Sequence, residues 1–121
     1  MSWEFDSNKP IYIQLVDALK MKILSGEFQP GSKMLTVRAL AAEAEVNPNT
    51  MQRALSELER EELMYSQRTK GRFVTDDIDK INKMKKNMAN DKIDSLKEFL
   101  IQLGYSTDEI INLIVENLKG E

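Results

Sequence analysis

Asn47-Pro48-Asn49-Thr50-Met51-Gln52-Arg53-Ala54-Leu55-Ser56-Glu57-Leu58 has the grammar of a helix that shows two different faces. Asn47 suits an N-cap, because its side-chain oxygen can accept from a backbone N–H of the first turn. Pro48 suits the first helical position, where its missing N–H costs nothing. Met51, Ala54, Leu55 and Leu58 fall at i, i+3, i+4 and i+7, a single stripe that must face a core. Asn49, Gln52, Arg53 and Ser56 also lie three or four apart, and they occupy the other side. This outward stripe carries no acid. Its side chains are types that read base edges, Asn or Gln pairing with adenine and Arg with guanine. The stretch therefore predicts the second, groove-reading helix of a helix-turn-helix. The competing reading is an amphipathic helix whose polar face is only solvated.

Upstream, residues 1–9 read as an arm whose large apolar groups, Trp3 and Phe5, dock on the body. A helix follows with Pro10 at its first turn and Tyr12, Leu15, Val16, Leu19 and Ile23 on one face. Ser25-Gly26 ends it, since glycine tolerates the left-handed C′ position. Gln29-Pro30-Gly31-Ser32 makes a turn, and Lys33-Met34-Leu35 has room only for a short strand. Thr36 caps a second helix with Val37, Leu40, Ala41 and Ala44 inward, and Glu45-Val46 turns the chain into the 47–58 helix.

Downstream, Glu61-Glu62 close that helix. Leu63 to Gln67 and Arg72 to Thr75 read as two strands, with Arg68-Thr69-Lys70-Gly71 as a basic hairpin tip in which the glycine takes the positive φ. Three helices followed by a hairpin, with a short strand before the second helix, is the order of a winged helix-turn-helix. The expected fold class is mainly α with a small β-hairpin (α+β): a winged helix-turn-helix over residues 1–76, followed by a two-helix tail over 77–121.

Within the tail, Asp76 or Asp77 can cap a long helix. Ile78, Ile81, Met84 and Met88 make one apolar run, and Ile93, Leu96, Leu100 and Leu103 make another. The polar Asn90-Asp91-Lys92 between them marks a break or an exposed turn. Gly104 ends the segment, and Ser106-Thr107-Asp108-Glu109 spells a capping box for the last helix. There Ile110, Ile111, Leu113, Ile114, Val115 and Leu118 cover more than half the girth. Two helices cannot bury so much apolar surface alone. They must pack on the body or on another chain.

Several runs resemble the GntR family of regulators. They are Pro10-Ile11-Tyr12 with Gln14-Leu15, Ile23-Leu24-Ser25-Gly26, Pro30-Gly31, Val37-Arg38 with Leu40-Ala41, Val46-Asn47-Pro48-Asn49-Thr50, Ala54-Leu55 with Leu58-Glu59, and Gly71 with Phe73-Val74. The match is ordered, free of gaps and spans roughly residues 9 to 75. The Val46–Thr50 turn and the short tail are most similar to the YtrA-type branch. The resemblance implies a DNA-binding transcription regulator, a repressor, with the tail serving as a two-helix dimerisation element. It departs from the family pattern where Leu35 stands for a usual proline, where Glu45 and Glu62 stand for usual glycines, and at Pro48 and Gln52, where many relatives carry arginine. The site preference of those relatives therefore does not transfer. A homodimer suits the two-fold symmetry common in operators. The alternative for the tail is an intramolecular cover on the winged helix.

Candidate DNA contacts fall into two layers. Thr36, Thr50, Lys70 and Arg72 suit phosphates, as donors near helix starts or as cations. Arg38, Asn49, Gln52 and Arg53 suit base edges, Arg38 by its match to a family arginine on the second helix. Gly71 matches the wing glycine at which backbone nears the neighbouring groove. Asn47 at the helix start and Arg68 in the basic tip complete the set. Lys80, Lys83, Lys85 and Lys86 read more readily as the solvated face of a long helix than as phosphate ligands.

Composition narrows the function classes. The net charge of −3 is mildly unfavourable for a nucleic-acid binder, but Ser66 to Thr75 and Lys80 to Lys86 carry cations and no acid. With no cysteine and no histidine, disulfides, thiolate metal sites and the commonest general base are absent. Cysteine-free composition suits a cytoplasmic protein. No apolar run approaches 18 residues, so no membrane partner is expected, and the N-terminus lacks the pattern of a signal peptide. The pairs Glu61-Glu62 and Asp76-Asp77 diverge on a helix and have no companion base or nucleophile, which speaks against an enzyme and against a metal or other cofactor. A winged-helix protein-interaction module without DNA binding is the remaining alternative. It would present an apolar or mixed stripe where residues 49, 52, 53 and 56 are polar. The sequence does not name a small-molecule effector.

Overall fold

The computed structural model describes residues 3–120; Met1 and Ser2 of the expected arm and Glu121 of the tail lie outside the described residues. The chain forms two compact units, one reaching to Asn82 and one from Lys83.

In the first unit three helices precede a hairpin: α1 (Ile11–Leu24), α2 (Val37–Ala44), α3 (Pro48–Arg60), β1 (Met64–Gln67) and β2 (Gly71–Val74). α3 is central, packing against α1, α2 and β1. Its stripe of Met51, Ala54, Leu55 and Leu58 is fully buried, with Leu15, Leu19 and Ile23 from α1, Leu40 from α2, and Leu63, Met64 and Val74 from the hairpin. Each large apolar side chain buried in this way contributes roughly 1.5–3 kcal/mol. The unit is therefore held by the pattern that was legible in the sequence.

The hairpin is antiparallel, with Met64 opposite Val74, Tyr65 opposite Phe73, Ser66 opposite Arg72 and Gln67 opposite Gly71. The segment before α2 runs beside β2: Met34 N–H donates to Arg72 O at 2.8 Å, Val74 N–H to Ser32 O at 2.9 Å, and Lys33 bridges Phe73. The expected short strand is thus reduced to one bridge. At the hairpin tip the positive φ is shared. Gly71 has φ 110° and opens β2, while Thr69, within the turn, has φ 65°. A β-branched residue there is strained, a cost the sequence pattern had assigned to glycine alone.

The two expected glycine departures are both left-handed. Glu45, the C-cap of α2, has φ 57°, and Glu62 after α3 has φ 62°. An L-residue in this conformation costs roughly 1–2 kcal/mol. The described part of the arm is docked: Trp3 Nε1 donates to Glu43, and its ring lies 4.2 Å from the Lys22 ammonium. Gln14 fixes the arm from α1, accepting from Asp6 N–H at 2.7 Å and donating back to Asp6 O at 3.0 Å.

α4 (Ile78–Gln102) begins in the first unit, where the Asp77 carboxylate accepts from Lys80 N–H and Ile81 is buried. The helix runs unbroken through Asn90-Asp91-Lys92, which corrects the expected break. Polar residues alone do not end a helix; that takes glycine, proline or a competing partner for the backbone. Gly104, with φ 100°, ends it instead. In the second unit α5 (Thr107–Leu118) starts with the full capping box: Ser106 Oγ accepts from Glu109 N–H, and the Glu109 carboxylate accepts from Ser106 N–H. Those backbone and hydroxyl bonds hold the Glu109 carboxyl below the ordinary glutamate range. Leu100 and Ile110 are buried, whereas Leu96 and Phe99 on α4, Leu103 in the turn after it, and Ile111, Val115 and Leu118 on α5 are exposed, Leu118 to 79%.

Candidate nucleic-acid interface

The recognition-type helix α3 is built as its sequence implies. Asn47 caps it, its side chain accepting from Asn49 N–H at 2.7 Å, and Pro48 occupies the first turn. With the apolar stripe buried, Asn49, Gln52, Arg53 and Ser56 all lie exposed on the other side. Gln52 Nε2 donates to Ser56 Oγ at 3.3 Å, which aligns two members of the stripe along the helix. The Arg53 guanidinium lies 4.5 Å from the centre of the Tyr12 ring on α1, within cation–π range.

Around this helix the remaining candidates divide. Thr36 caps α2, its hydroxyl oxygen accepting from Ala39 N–H at 3.1 Å, so the hydroxyl hydrogen is left for a further acceptor. Arg38 is exposed and has no ion pair among the described residues. Thr50 is half-buried and lines a cleft of about 550 Å³ with Trp3, Phe5 and Asn47. Arg68 and Lys70 are exposed at the hairpin tip. Arg72 is not: only 16% of its side chain is accessible, and its Nε donates to Glu59 at 2.7 Å.

Two residues outside the expected set join the surface. Lys33 stands beside the wing, its Cε 3.2 Å from where a Cβ on Gly71 would lie, and with Thr36 and Lys70 it lines an open groove of about 510 Å³. Only its place in the short strand pointed to it. Tyr12, read as a core residue, provides the platform for Arg53; its position in the first turn of α1 contained no signal of that role.

Glu57, Glu59, Glu61 and Glu62, at the end of α3, are each paired with a cation: Arg60, Arg72, Lys20 at 2.8 Å and Lys80 at 2.7 Å, respectively. The hydrogen bond from Arg60 holds the Glu57 carboxyl low, and the Lys80 ammonium does the same for Glu62. Burial pushes Glu59 up, but hydrogen bonds from Ser66 and Arg72 outweigh it, so that carboxyl also lies below the ordinary range. Of the expected carboxylate pairs, Glu61 and Glu62 hold lysines, and Asp77 caps α4.

Residues 11–74 match the profile of the bacterial regulatory proteins of the gntR family. The chain belongs to the GntR family. It is a transcriptional regulator with the winged-helix architecture of that family. It is 31% identical over 120 residues to the HTH-type transcriptional regulator YhcF of Bacillus subtilis, covering 99% of both chains. It is 35% identical over 97 residues to the HTH-type transcriptional repressor YtrA of the same organism, covering 80% of this chain and 70% of the repressor. This agrees with the YtrA-type resemblance. Among solved structures, a GntR family transcriptional regulator from Listeria monocytogenes superposes with a TM-score of 0.86 at 36% identity, over 93% of this chain and 98% of that one. AraR(DBD) in complex with operator ORE1 superposes with a TM-score of 0.52 at 26% identity, over 62% of this chain and 94% of that one. No helix among the described residues is long and apolar enough to cross a membrane.

Proposed function

We propose that this regulator is a cytoplasmic, sequence-specific DNA-binding repressor that acts as a homodimer on a two-fold symmetric operator. The observation that carries the proposal is the acid-free, exposed stripe of Asn49, Gln52, Arg53 and Ser56 on a helix whose opposite stripe is fully buried. Such a helix offers base-reading side chains to a major groove without surrendering any core contact. Arg38 reaches toward the same groove from α2. Thr36, Asn47, Thr50, Arg68 and Lys70, with backbone at Gly71, hold phosphates on either side. Lys33 adds a cation beside the wing. The operator complex of AraR(DBD) and the repressor role in the name of YtrA support this reading.

Residues 1–76 form the DNA-binding domain in this proposal, and residues 77–121 the dimerisation tail. The tail assignment rests on the exposed stripes Leu96-Phe99-Leu103 and Ile111-Val115-Leu118, which need a partner surface. A second copy is the partner that also supplies the two-fold symmetry of an operator.

Selection of bound fragments from sheared genomic DNA tests the function. The expected result is enrichment of an inverted repeat, with half-sites about one helical turn apart or a multiple of it. Recovery of fragments without a shared sequence would show that the chain does not read bases. Within the enriched site, Arg38→Ala is expected to relax the preference at one base pair in each half-site.

A further inference from the structure

Glu59 sits in the last turn of α3, just beyond the base-reading stripe, and its Oε1 receives two donors. One is Ser66 Oγ, from β1; the other is Arg72 Nε, from β2, at 2.7 Å. Ser66 and Arg72 face each other across the hairpin. A single carboxylate oxygen of the recognition helix therefore takes one hydrogen bond from each strand of the wing, at the same rung. The Glu59–Arg72 pair is largely closed, with 16% of the Arg72 side chain and 28% of the Glu59 side chain accessible, while Ser66 lies at its exposed edge. If Arg72 swung out to a phosphate, it would leave Glu59 with one donor in a half-buried position, and such a loss is costly for a charged group.

We propose that Glu59, Ser66 and Arg72 form a clip that sets the angle of the wing to the recognition helix, so that Arg72 is a positioning residue and not a phosphate ligand. This rests on the DNA-binding reading above. The base-reading stripe and the cations of the wing tip, Arg68 and Lys70, must engage the duplex together. A wing free to pivot would engage it only part of the time. Charge-assisted bonds are the stronger class of hydrogen bond, and residues in one such network are coupled, so the effects of removing them do not add. Breaking the Glu59–Arg72 tie at either end should therefore have the same consequence as breaking it at both.

The test uses the full chain and a duplex taken from the genomic selection, titrated over a range of salt. Lys70→Ala is expected to flatten the dependence of log affinity on log salt by about one unit. Arg72→Met is expected to weaken operator binding on the order of fivefold while leaving that slope unchanged. Glu59→Leu with Arg72→Met should be no weaker than the weaker of the two single variants, the non-additivity of residues that share one interaction. Ser66→Ala removes one small donor and cannot threaten the fold; it should give a smaller loss, again with the slope unchanged. If Arg72→Met flattens the slope as Lys70→Ala does, or if its effect simply adds to that of Glu59→Leu, Arg72 is a phosphate ligand and the clip is wrong. Failure of the DNA-binding reading looks different: the unaltered chain would then bind selected and scrambled duplexes equally, before any variant is compared.

Discussion

Replacing Tyr12 by leucine should weaken operator binding about two- to fivefold, although Tyr12 lies on α1 and outside the base-reading stripe. The Arg53 guanidinium lies 4.5 Å from the centre of the Tyr12 ring, and at exposed sites such a contact contributes roughly 0.5–1 kcal/mol. If the ring holds Arg53 in the orientation that DNA requires, its loss releases a side chain rich in rotamers, and binding must then order it. At about 1.4 kcal/mol per tenfold, the stated range gives the two- to fivefold effect. Arg53→Ala removes the reading group itself. It should cost roughly 1–3 kcal/mol of discrimination, confined to one base pair per half-site. Tyr12→Phe keeps the ring face and should bind like the unaltered chain. The assay is equilibrium titration of the three variants against a library of single-base operator changes. Tighter binding by Tyr12→Leu would mean that the ring competes with DNA for Arg53. A uniform loss across the library for Arg53→Ala would mean that Arg53 holds a phosphate, and that base readout must be sought at Asn49 or in DNA shape.

Other outcomes follow from features elsewhere in the chain. Ile111→Lys combined with Leu118→Lys should leave helix content intact but shift the sedimenting species from dimer to monomer; a variant that still sediments as a dimer would remove α5 from the interface. Glu45→Gly should raise stability to denaturant by up to about 1 kcal/mol, since relief of a left-handed residue exceeds the entropy that glycine adds to the unfolded chain, and a fall in stability would show that the turn is not strained. Glu57, Glu59, Glu62 and Glu109 are all held below their ordinary pKa of 4.5 in the folded chain. A carboxyl depressed by folding stabilises fully above its unfolded value and stops doing so as pH falls through the folded one. Unfolding midpoints should therefore be flat near neutrality and decline below about pH 4.5; an increase in stability on acidification would contradict the paired geometry.

The winged helix was legible because independent local signals agreed along one stretch. At Asn47-Pro48 the cap, the proline and the 3.6-residue stripe all specify the same helix start, and the observed helix begins there. The capping box at Ser106 to Glu109 likewise needs only four residues to be recognised. What stayed hidden depends on residues distant in sequence. Arg72 reads as a cation in a basic tip until Glu59, from another element, is found against it. Arg53 reads as a free arginine until Tyr12 is seen beneath it. Thr69 does not advertise its left-handed backbone, because the neighbouring glycine offers a simpler explanation for the turn. The candidate site was thus legible as a surface, while the partners that orient its members were not.

The same pairings explain how a chain of net charge −3 can present a DNA-binding face. α3 is divided along its length. From Asn49 to Ser56 it has no acid, and Asn49, Gln52, Arg53 and Ser56 are exposed; from Glu57 to Glu62 it and its exit hold four acids. Acids at a helix C-terminus oppose the macrodipole, so their presence there needs another cause. Each is answered by a base, and three of the four bases come from other elements: Lys20 on α1, Arg72 on β2 and Lys80 on α4. The acidic end is therefore where α3 is tied to its neighbours, and the acid-free end is where it is left open. Reversing one tie, by Lys20→Glu, should destabilise the first unit through repulsion with Glu61 while leaving the base preference of the remaining folded protein unchanged. A change in preference at constant stability would show that the acidic end also senses DNA.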